Sequence, residues 1–253
     1  MNAMPLYAEP VRGVKPEECW FYHTIELPGL GLMKGPWDLR QVTAQYLGNV
    51  DFKGKRVLEI GPASGYLTAY MDRQGADVVA VEQPESAVWD FVPYGLDAAE
   101  WDKLIAIKRD NNRKLKNSFW LTHETLALRA KVHYGKVETL PDGIGQFDIA
   151  VVALVLTHMR DPVAALASCA RRVREKIVVV ERAHGDEAFR SRPAMQLIPN
   201  LENKRYDSWW YFSPAFFAQL FAIMGFASVR AAACNCNVNG KPYPVTAYVA
   251  SRT

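Results

Sequence analysis

Residues 56–66 read RVLEIGPASGY and join a short apolar strand to a turn that is rich in small residues. The first five of these residues are mostly aliphatic, as is typical of a buried strand. A helical pattern begins at Tyr66 and stops before Gly75, a residue that suits the position just after a helix. A second apolar strand follows at residues 77–82. Together these segments predict a βαβ unit with two parallel strands.

The remaining chain continues this alternation of strands and helices. Further strands are predicted at residues 131–134, 147–154, 176–181, 227–233 and 244–250. Helices are predicted at residues 37–47, at 119–129, after Asp161 and after Ser213. The pattern indicates an α/β fold with a doubly wound, mostly parallel sheet and helices on both faces. The last two strands have no helix between them, so we expect an antiparallel C-terminal hairpin.

The composition is that of an ordinary globular protein. Of the 253 residues, 49% are hydrophobic and 23% are charged, and the formal net charge is +3. These values exclude disordered, collagen-like and coiled-coil classes and do not indicate nucleic-acid binding. We expect a single domain spanning 1–253, with an N-terminal cap (1–52), an insertion (84–117) and a substrate-side insertion (184–212) outside the regular sheet.

Neither a membrane span nor a secretory signal is visible in the sequence. The longest apolar run, residues 149–156, is far shorter than the roughly 20 residues that a membrane helix needs. The four cysteines have irregular spacing, and Cys234 and Cys236 lack a nearby second Cys/His pair, so no metal site is expected. We therefore expect reduced thiols and a cytoplasmic protein without membrane attachment.

Ligands of open parallel sheets bind at the carboxyl ends of the strands, where the turn at residues 61–65 lies. The dinucleotide fingerprint Gly-x-Gly-x-x-Gly fails at two positions, because Ala63 and Tyr66 replace glycines. A P-loop would need a Gly-Lys-Ser/Thr ending, which is absent. These observations argue against a nicotinamide oxidoreductase and a nucleotide hydrolase.

Residues 57–66 resemble motif I of the class I S-adenosylmethionine-dependent methyltransferases, with Ala63 in place of the middle glycine. Five other segments follow in the family's order and spacing. The resemblance implies a Rossmann-like, seven-stranded sheet, methyltransferase activity and S-adenosylmethionine as cofactor. The residues expected to bind the cofactor are Trp20, Tyr22, Glu59, Gly61, Pro62, Ala63, Ser64, Gly65, Glu82, Gln83, Val137 and Leu154.

The family resemblance gives some of these residues individual roles. Glu82 stands where the family's acidic residue accepts hydrogen bonds from the ribose hydroxyls, and one carboxylate suits two vicinal hydroxyls. The alternative is a plain charge at a strand end. Gln83 is expected to border the adenine. Because Lys136 stands where the family often has aspartate, backbone atoms near Val137 are expected to contact the adenine edge.

The N-terminal cap has a narrower resemblance. Residues 20–29, WFYHTIELPG, and 35–40, GPWDLR, are similar to the cap of enzymes related to the tRNA wobble-uridine 5-oxy alkylating methyltransferases. This cap is expected to fold over the cofactor. Trp20 and Tyr22 would then contact the sulfonium through cation–π interactions, or else be plain core aromatics.

Two histidines are candidates for a general base, which a hydroxyl acceptor would benefit from. His158 follows the fourth strand and titrates near neutrality, although it also suits a structural role in its turn. His23 lies in the cap, where a packing role is an equal alternative. Residues 209–212, WWYF, are expected to line the acceptor pocket or to form a hydrophobic plug.

Several functions remain open at this point. The sequence favours methyl transfer to an oxygen or nitrogen of a small molecule. A tRNA-modifying enzyme of the same fold is the alternative, and the basic residues 108–116 would then contact phosphates. A non-catalytic protein that binds the cofactor is a third possibility. The oligomeric state is not indicated by the sequence.

Overall fold

The computed structural model describes residues 5–84, 87 and 90–253. Within these residues the strands are β1 (Ile25–Leu27), β2 (Gly31–Met33), β3 (Trp37–Asp38), β4 (Arg56–Ile60), β5 (Asp77–Glu82), β6 (Lys131–Tyr134), β7 (Phe147–Ala153), β8 (Val173–Arg182), β9 (Met195–Leu197), β10 (Trp210–Phe212), β11 (Ser228–Val238) and β12 (Lys241–Ser251). The α-helices are α1 (Thr43–Tyr46), α2 (Tyr66–Arg73), α3 (Ala98–Thr125), α4 (Pro162–Arg172), α5 (Glu187–Arg190) and α6 (Pro214–Ile223).

The central sheet has the order β3-β11-β12-β8-β7-β4-β5-β6. Strands β4 to β8 pair in parallel, whereas β12 runs antiparallel to both β8 and β11. The doubly wound sheet and the antiparallel C-terminal hairpin are therefore confirmed. The two-residue strand β3 extends the expected seven strands to eight in the described part of the chain, because residues 37–38 pair with residues 237–238.

Helices cover both faces of the sheet. On one face, Leu58 of β4 shares a core with Leu166 of α4 and Phe217 of α6. On the other face, Val57 of β4 packs in a core with Met71 of α2. Successive residues of β4 thus point into different cores, which is why the strand is apolar throughout.

The helix starts follow the capping residues expected from the sequence. The Asp161 carboxylate accepts a hydrogen bond from Ala164 N at 2.9 Å at the start of α4, and Ser213 Oγ accepts from Phe216 N at 3.0 Å at the start of α6. Helix α2 ends at Arg73, and Gly75 has a left-handed φ of +92°. These contacts satisfy backbone groups that a helix end leaves unpaired.

Two segments differ from the sequence-based expectation. Residues 37–47 do not form one helix, because β3 pairs with β11 and only residues 43–46 are helical. Residues 98–125 form one continuous helix, so the predicted boundary at residue 117 falls inside α3. The helix predicted at residues 119–129 corresponds to the buried end of α3, which stops at Thr125, before the predicted end.

No helix in the described ranges is both long enough and apolar enough to cross a bilayer. The four cysteines are free thiols, and three of them, Cys169, Cys234 and Cys236, are buried. Among the described residues no group of three His, Cys, Asp or Glu side chains is arranged to hold a metal ion.

We expect Phe217→Ala to lower the free energy of unfolding by about 3–5 kcal/mol, because the side chain is fully buried and its removal leaves a cavity. Ile223→Ala in the same helix is the control; its side chain is 74% exposed, and we expect a change within about 0.5 kcal/mol. Urea denaturation of both variants measures the difference. Equal effects would show that α6 does not pack as described.

Candidate active site

The turn after β4 has an unusual backbone shape. Gly61, Ala63 and Gly65 have φ angles of +70°, +50° and +83°. These lie in the left-handed region, which residues with a Cβ avoid at a cost of roughly 1 kcal/mol or more. The turn is closed by a 2.9 Å hydrogen bond from Gly65 N to Pro62 O. Ala63 thus adopts the conformation that a glycine would adopt without strain.

The two glycines let the turn pack closely between its neighbours. A Cβ added at Gly61 would lie 2.8 Å from Cγ2 of Val155, in the loop after β7. A Cβ added at Gly65 would lie 3.2 Å from the Phe119 ring and 3.3 Å from Thr122, both in α3. The sequence requirement for glycine at these positions is therefore steric as well as conformational.

Glu59 is a buried carboxylate beneath the turn. Its Oε2 accepts a 2.5 Å hydrogen bond from Thr68 Oγ1 of α2, while its Oε1 has no hydrogen-bond partner among the described residues. Burial raises the pKa of Glu59 to about 7, against the smaller opposing effect of the Thr68 hydroxyl. A buried oxygen without a donor is costly, so this atom is suited to receive a donor from a ligand.

Glu82 ends β5 beside the same turn. Its carboxylate accepts a 2.7 Å hydrogen bond from Gln83 N. Burial raises the pKa of Glu82, while that hydrogen bond and the charge of Lys116 oppose the rise. The side-chain oxygen of Gln83 is buried and lacks a hydrogen-bond partner within the described residues. The parallel pairing of β4 with β5 therefore brings two adjacent acidic strand ends to one edge of the sheet.

The N-terminal cap contacts the turn directly. His23 N donates a 3.1 Å hydrogen bond to Ser64 Oγ, and Ser64 is fully buried. The His23 ring is also buried, and burial lowers its pKa to about 3. Next to it, Tyr22 stacks on Trp37 with ring centroids 5.9 Å apart, while Trp20 contacts Tyr22 edge-on at 6.0 Å. The cap is thus attached to the turn through His23, and Tyr22 and Trp20 lie next to this attachment.

Helix α3 links the cap to the turn and to the second insertion. Ser118 Oγ donates to Trp20 O at 2.7 Å, and Asn117 Nδ2 donates to Glu18 O at 3.0 Å. Earlier in the helix, Lys108 forms an ion pair with Asp207. Because Phe119 and Thr122 of the same helix pack against Gly65, α3 contacts three separate parts of the candidate site.

Two of the expected cofactor residues lie in the loops that follow β6 and β7. Val137 is buried in the core that it shares with Leu140 and Leu166. Leu154 has a left-handed φ of +55°, and its N–H donates to Val180 O at 2.8 Å. A branched residue in this conformation is strained, and such strain is frequent at ligand-binding loops.

His158 ends a short 3-10 turn, Leu156–His158, after β7. Its Nδ1 is hydrogen-bonded to the backbone carbonyl of Asp207. Because a carbonyl only accepts, Nδ1 carries the proton and the neutral ring has its lone pair on Nε2. Burial lowers the pKa of His158, which favours this neutral form at neutral pH.

The segment at residues 209–212 is divided between two environments. Trp209 N donates to Thr157 O at 2.7 Å, which ties the segment to the loop carrying His158. Tyr211 is half-buried at the edge of the sheet. The expectation that Phe212 lines an acceptor pocket is wrong, because its side chain is 2% exposed and packs in the core with Phe217.

Sequence reasoning did not single out Glu181, near the carboxyl end of β8. The side chain is 2% exposed, and the nearby backbone N–H groups of Thr157, Leu156 and Arg182 lower its pKa, against the larger effect of burial. Its Oε1 has no hydrogen-bond partner among the described residues, and burial raises its pKa to about 8. The sequence did contain a signal for Glu181, because it is an acidic residue near the end of an apolar parallel strand, like Glu59 in β4 and Glu82 in β5.

Solved structures with similar folds include methyltransferases with bound cofactor. The N-terminal domain of EvdMO1 with bound SAH has 18% identity and a TM-score of 0.57, and the match covers 92% of this chain and 91% of that chain. The magnesium protoporphyrin IX methyltransferase of Synechocystis PCC 6803 with bound SAM has 14% identity and a TM-score of 0.52, with coverages of 85% and 78%.

A third similar structure is the 1,6-didemethyltoxoflavin-N1-methyltransferase of Burkholderia thailandensis, with 20% identity, a TM-score of 0.50 and coverages of 85% and 78%. At these identities the likeness shows the fold. No curated protein matches the chain. The model of a family described as a methyltransferase domain matches residues 37–231, which is more than half of the sequence. The chain therefore belongs to this methyltransferase-domain family.

Proposed function

We propose that the protein is an S-adenosylmethionine-dependent methyltransferase that moves a methyl group to an oxygen or nitrogen of a small molecule. The observation that carries this proposal is the pair of acidic strand ends, Glu59 and Glu82, beside a left-handed turn. Family membership and the similar structures with bound SAM or SAH support it.

The residues at the edge of the sheet fit this cofactor. Glu82 would accept hydrogen bonds from the ribose hydroxyls, and Glu59 Oε1 would accept one from the cofactor ammonium. The buried side-chain oxygen of Gln83 would receive a donor near the adenine, beside the backbone at Val137. Both unpartnered oxygens would then be satisfied, as buried polar atoms require.

The cofactor supplies an electrophilic methyl group on a positively charged sulfur, and the chain would supply alignment, exclusion of water and a proton acceptor. Tyr22 and Trp20 would cover the sulfonium side of the turn, where aromatic faces favour a cation. Leu154 would border the same region. A dry, aligned site accounts for much of the catalysis in a displacement of this kind.

We assign the proton acceptor to His158 rather than His23. The lone pair of neutral His158 is on Nε2, and its ring is oriented by the hydrogen bond from Nδ1. His23 has a pKa of about 3, which makes it a weak base at neutral pH. Its backbone bond to Ser64 instead supports a role in holding the cap against the turn.

The charges of the described residues favour a small molecule over RNA. The basic stretch predicted to contact phosphates lies on α3, where Arg113 and Lys114 pair with Asp110 and Lys108 pairs with Asp207. The narrower cap resemblance supports the alternative, a tRNA-modifying enzyme. Filter binding to tRNA over a salt series distinguishes them, because phosphate contacts give a steep loss of affinity with salt.

The ribose assignment predicts that Glu82→Gln weakens S-adenosylmethionine binding by about 100-fold, because two charge-assisted hydrogen bonds are lost. Calorimetry measures the affinity, and thermal unfolding checks that the variant is folded. Glu202→Gln, at an exposed position in the second insertion, is the matched control and should bind normally. Unchanged affinity in a folded Glu82→Gln protein would contradict the ribose assignment.

The burial of Glu59 predicts a pH dependence of cofactor binding. Burial raises its pKa to about 7, and pairing with the cofactor ammonium would lower that pKa. The affinity for S-adenosylmethionine should therefore be highest above pH 7 and fall by up to about tenfold per pH unit below it. Below pH 7 Glu59 is protonated, so binding of the cofactor releases a proton. Calorimetry in two buffers of different ionisation enthalpy measures this release. Glu59→Gln should remove the pH dependence, and a wild-type affinity that is constant from pH 5.5 to 8 would contradict the assignment.

The assignment of His158 predicts that His158→Ala lowers turnover by about 100-fold while changing S-adenosylmethionine affinity less than threefold, because a general base contributes to the chemical step. A screen of phenols, carboxylates and amines first identifies an acceptor. Turnover is then measured as the rate at which S-adenosylhomocysteine forms with that acceptor. His123→Ala is the control, because the His123 ring is hydrogen-bonded to Ala130 O beside the amino end of β6, opposite the edge that carries the candidate site. Unchanged turnover in His158→Ala would assign His158 to structure alone.

A further inference from the structure

Arg182 is the last residue of β8 and directly follows Glu181 at the edge of the sheet that carries the candidate site. Its Nη1 donates a 2.9 Å hydrogen bond to the hydroxyl oxygen of Tyr211. Its guanidinium carbon lies 5.4 Å from the ring centroids of both Tyr211 and Tyr243. One hydrogen bond and two aromatic faces therefore hold the guanidinium in place, although the residue is exposed.

No carboxylate of the described residues balances this charge. Neither Arg182 nor Arg205 forms an ion pair with a described residue, and the charges of both act on the phenol of Tyr243. Of the acidic groups near this edge, Asp207 pairs with Lys108, and burial raises the pKa of Glu181 to about 8, which favours its uncharged form at neutral pH. At the opposite end of β8, by contrast, Arg174 pairs with Asp148 at 3.2 Å.

Aromatic rings connect Arg182 to the cofactor turn. Tyr243 contacts Trp37 edge-on with centroids 5.0 Å apart, and Trp37 stacks on Tyr22. Tyr22 precedes His23, whose backbone binds Ser64 of the turn. Arg182 is thus linked through Tyr243 and Trp37 to Tyr22, the cap residue that we assign to the sulfonium side.

We propose that Arg182, held by Tyr211 and Tyr243, binds an anionic group of the methyl acceptor. A planar guanidinium with free N–H groups forms bidentate hydrogen bonds with carboxylate or phosphate oxygens, and the contacts with Tyr211 and Tyr243 fix its orientation for such bonds. This inference rests on the proposed function, because it treats this edge as the acceptor side. It narrows the acceptor to small molecules that carry a carboxylate or a phosphate.

The test uses the full-length protein saturated with S-adenosylhomocysteine and four probes of similar size: benzoate, phenyl phosphate, benzyl alcohol and benzylamine. Ligand-observed NMR titration measures their affinities. We expect at least one anion to bind about tenfold more tightly than benzyl alcohol, and benzylamine to bind most weakly. Preference for benzoate assigns a carboxylate, and preference for phenyl phosphate assigns a phosphate.

Substitutions test whether Arg182 is the source of the preference for anions. Arg182→Gln should remove the preference for anions, and Tyr211→Phe, which keeps the ring but loses the hydroxyl, should reduce it by about threefold. Arg174→Gln removes the same charge from the opposite end of β8 and should leave the preference unchanged. Equal affinities for all four probes, or an equal loss in Arg174→Gln, would overturn the proposal.

The affinity for S-adenosylhomocysteine, measured in the same samples, separates this inference from the proposed function. Normal binding of S-adenosylhomocysteine without any preference for anions would refute the acceptor subsite and leave the methyltransferase proposal standing. Failure of the wild-type protein to bind S-adenosylhomocysteine would refute the proposed function itself. Circular dichroism confirms that each variant is folded.

Discussion

The shape of the turn that leaves β4 determines what the surrounding segments can do. Its three left-handed residues let the chain reverse tightly, and the absence of side chains at Gly61 and Gly65 lets Val155 and α3 approach closely. The cap then attaches through the His23–Ser64 hydrogen bond. A change in this turn would therefore disturb the loop after β7, the long helix and the cap together.

The parallel sheet also buries two carboxylates near the carboxyl ends of its strands, where their charged forms are disfavoured. Glu59 and Glu181 lie near the ends of apolar strands and are buried, so their carboxylates are desolvated and each retains one oxygen without a donor among the described residues. Desolvation disfavours the charged form, which explains the raised pKa values. Buried oxygens without donors lower the stability of the fold, and a ligand with suitable donors would offset that cost.

The sequence was sufficient to predict the parts of the fold that depend on local pattern. The apolar strands, the turn at residues 61–65 and the capping residues Asp161 and Ser213 were all confirmed. Strand β3 was missed because its two residues are defined only by pairing with residues about 200 positions away. Local apolar spacing could not reveal such a pairing.

The site was only partly predictable for the same reason. Motif spacing identified Glu59 and Glu82, and the structure places both beside the turn. Phe212 was misassigned because an aromatic run does not show which ring faces the core. The burial of Glu181 and the aromatic neighbours of Arg182 depend on segments distant in sequence, so only the folded chain displays them.

Helix α3 has a mechanical consequence. This continuous helix of 28 residues contacts Asp207 through Lys108, further along the backbone of the cap, and near its end the turn after β4. Because the helix is continuous, a displacement at one of these contacts is transmitted to the other two. A movement of the cap would therefore also displace the segment around Asp207 and the turn after β4, so these three segments are mechanically coupled.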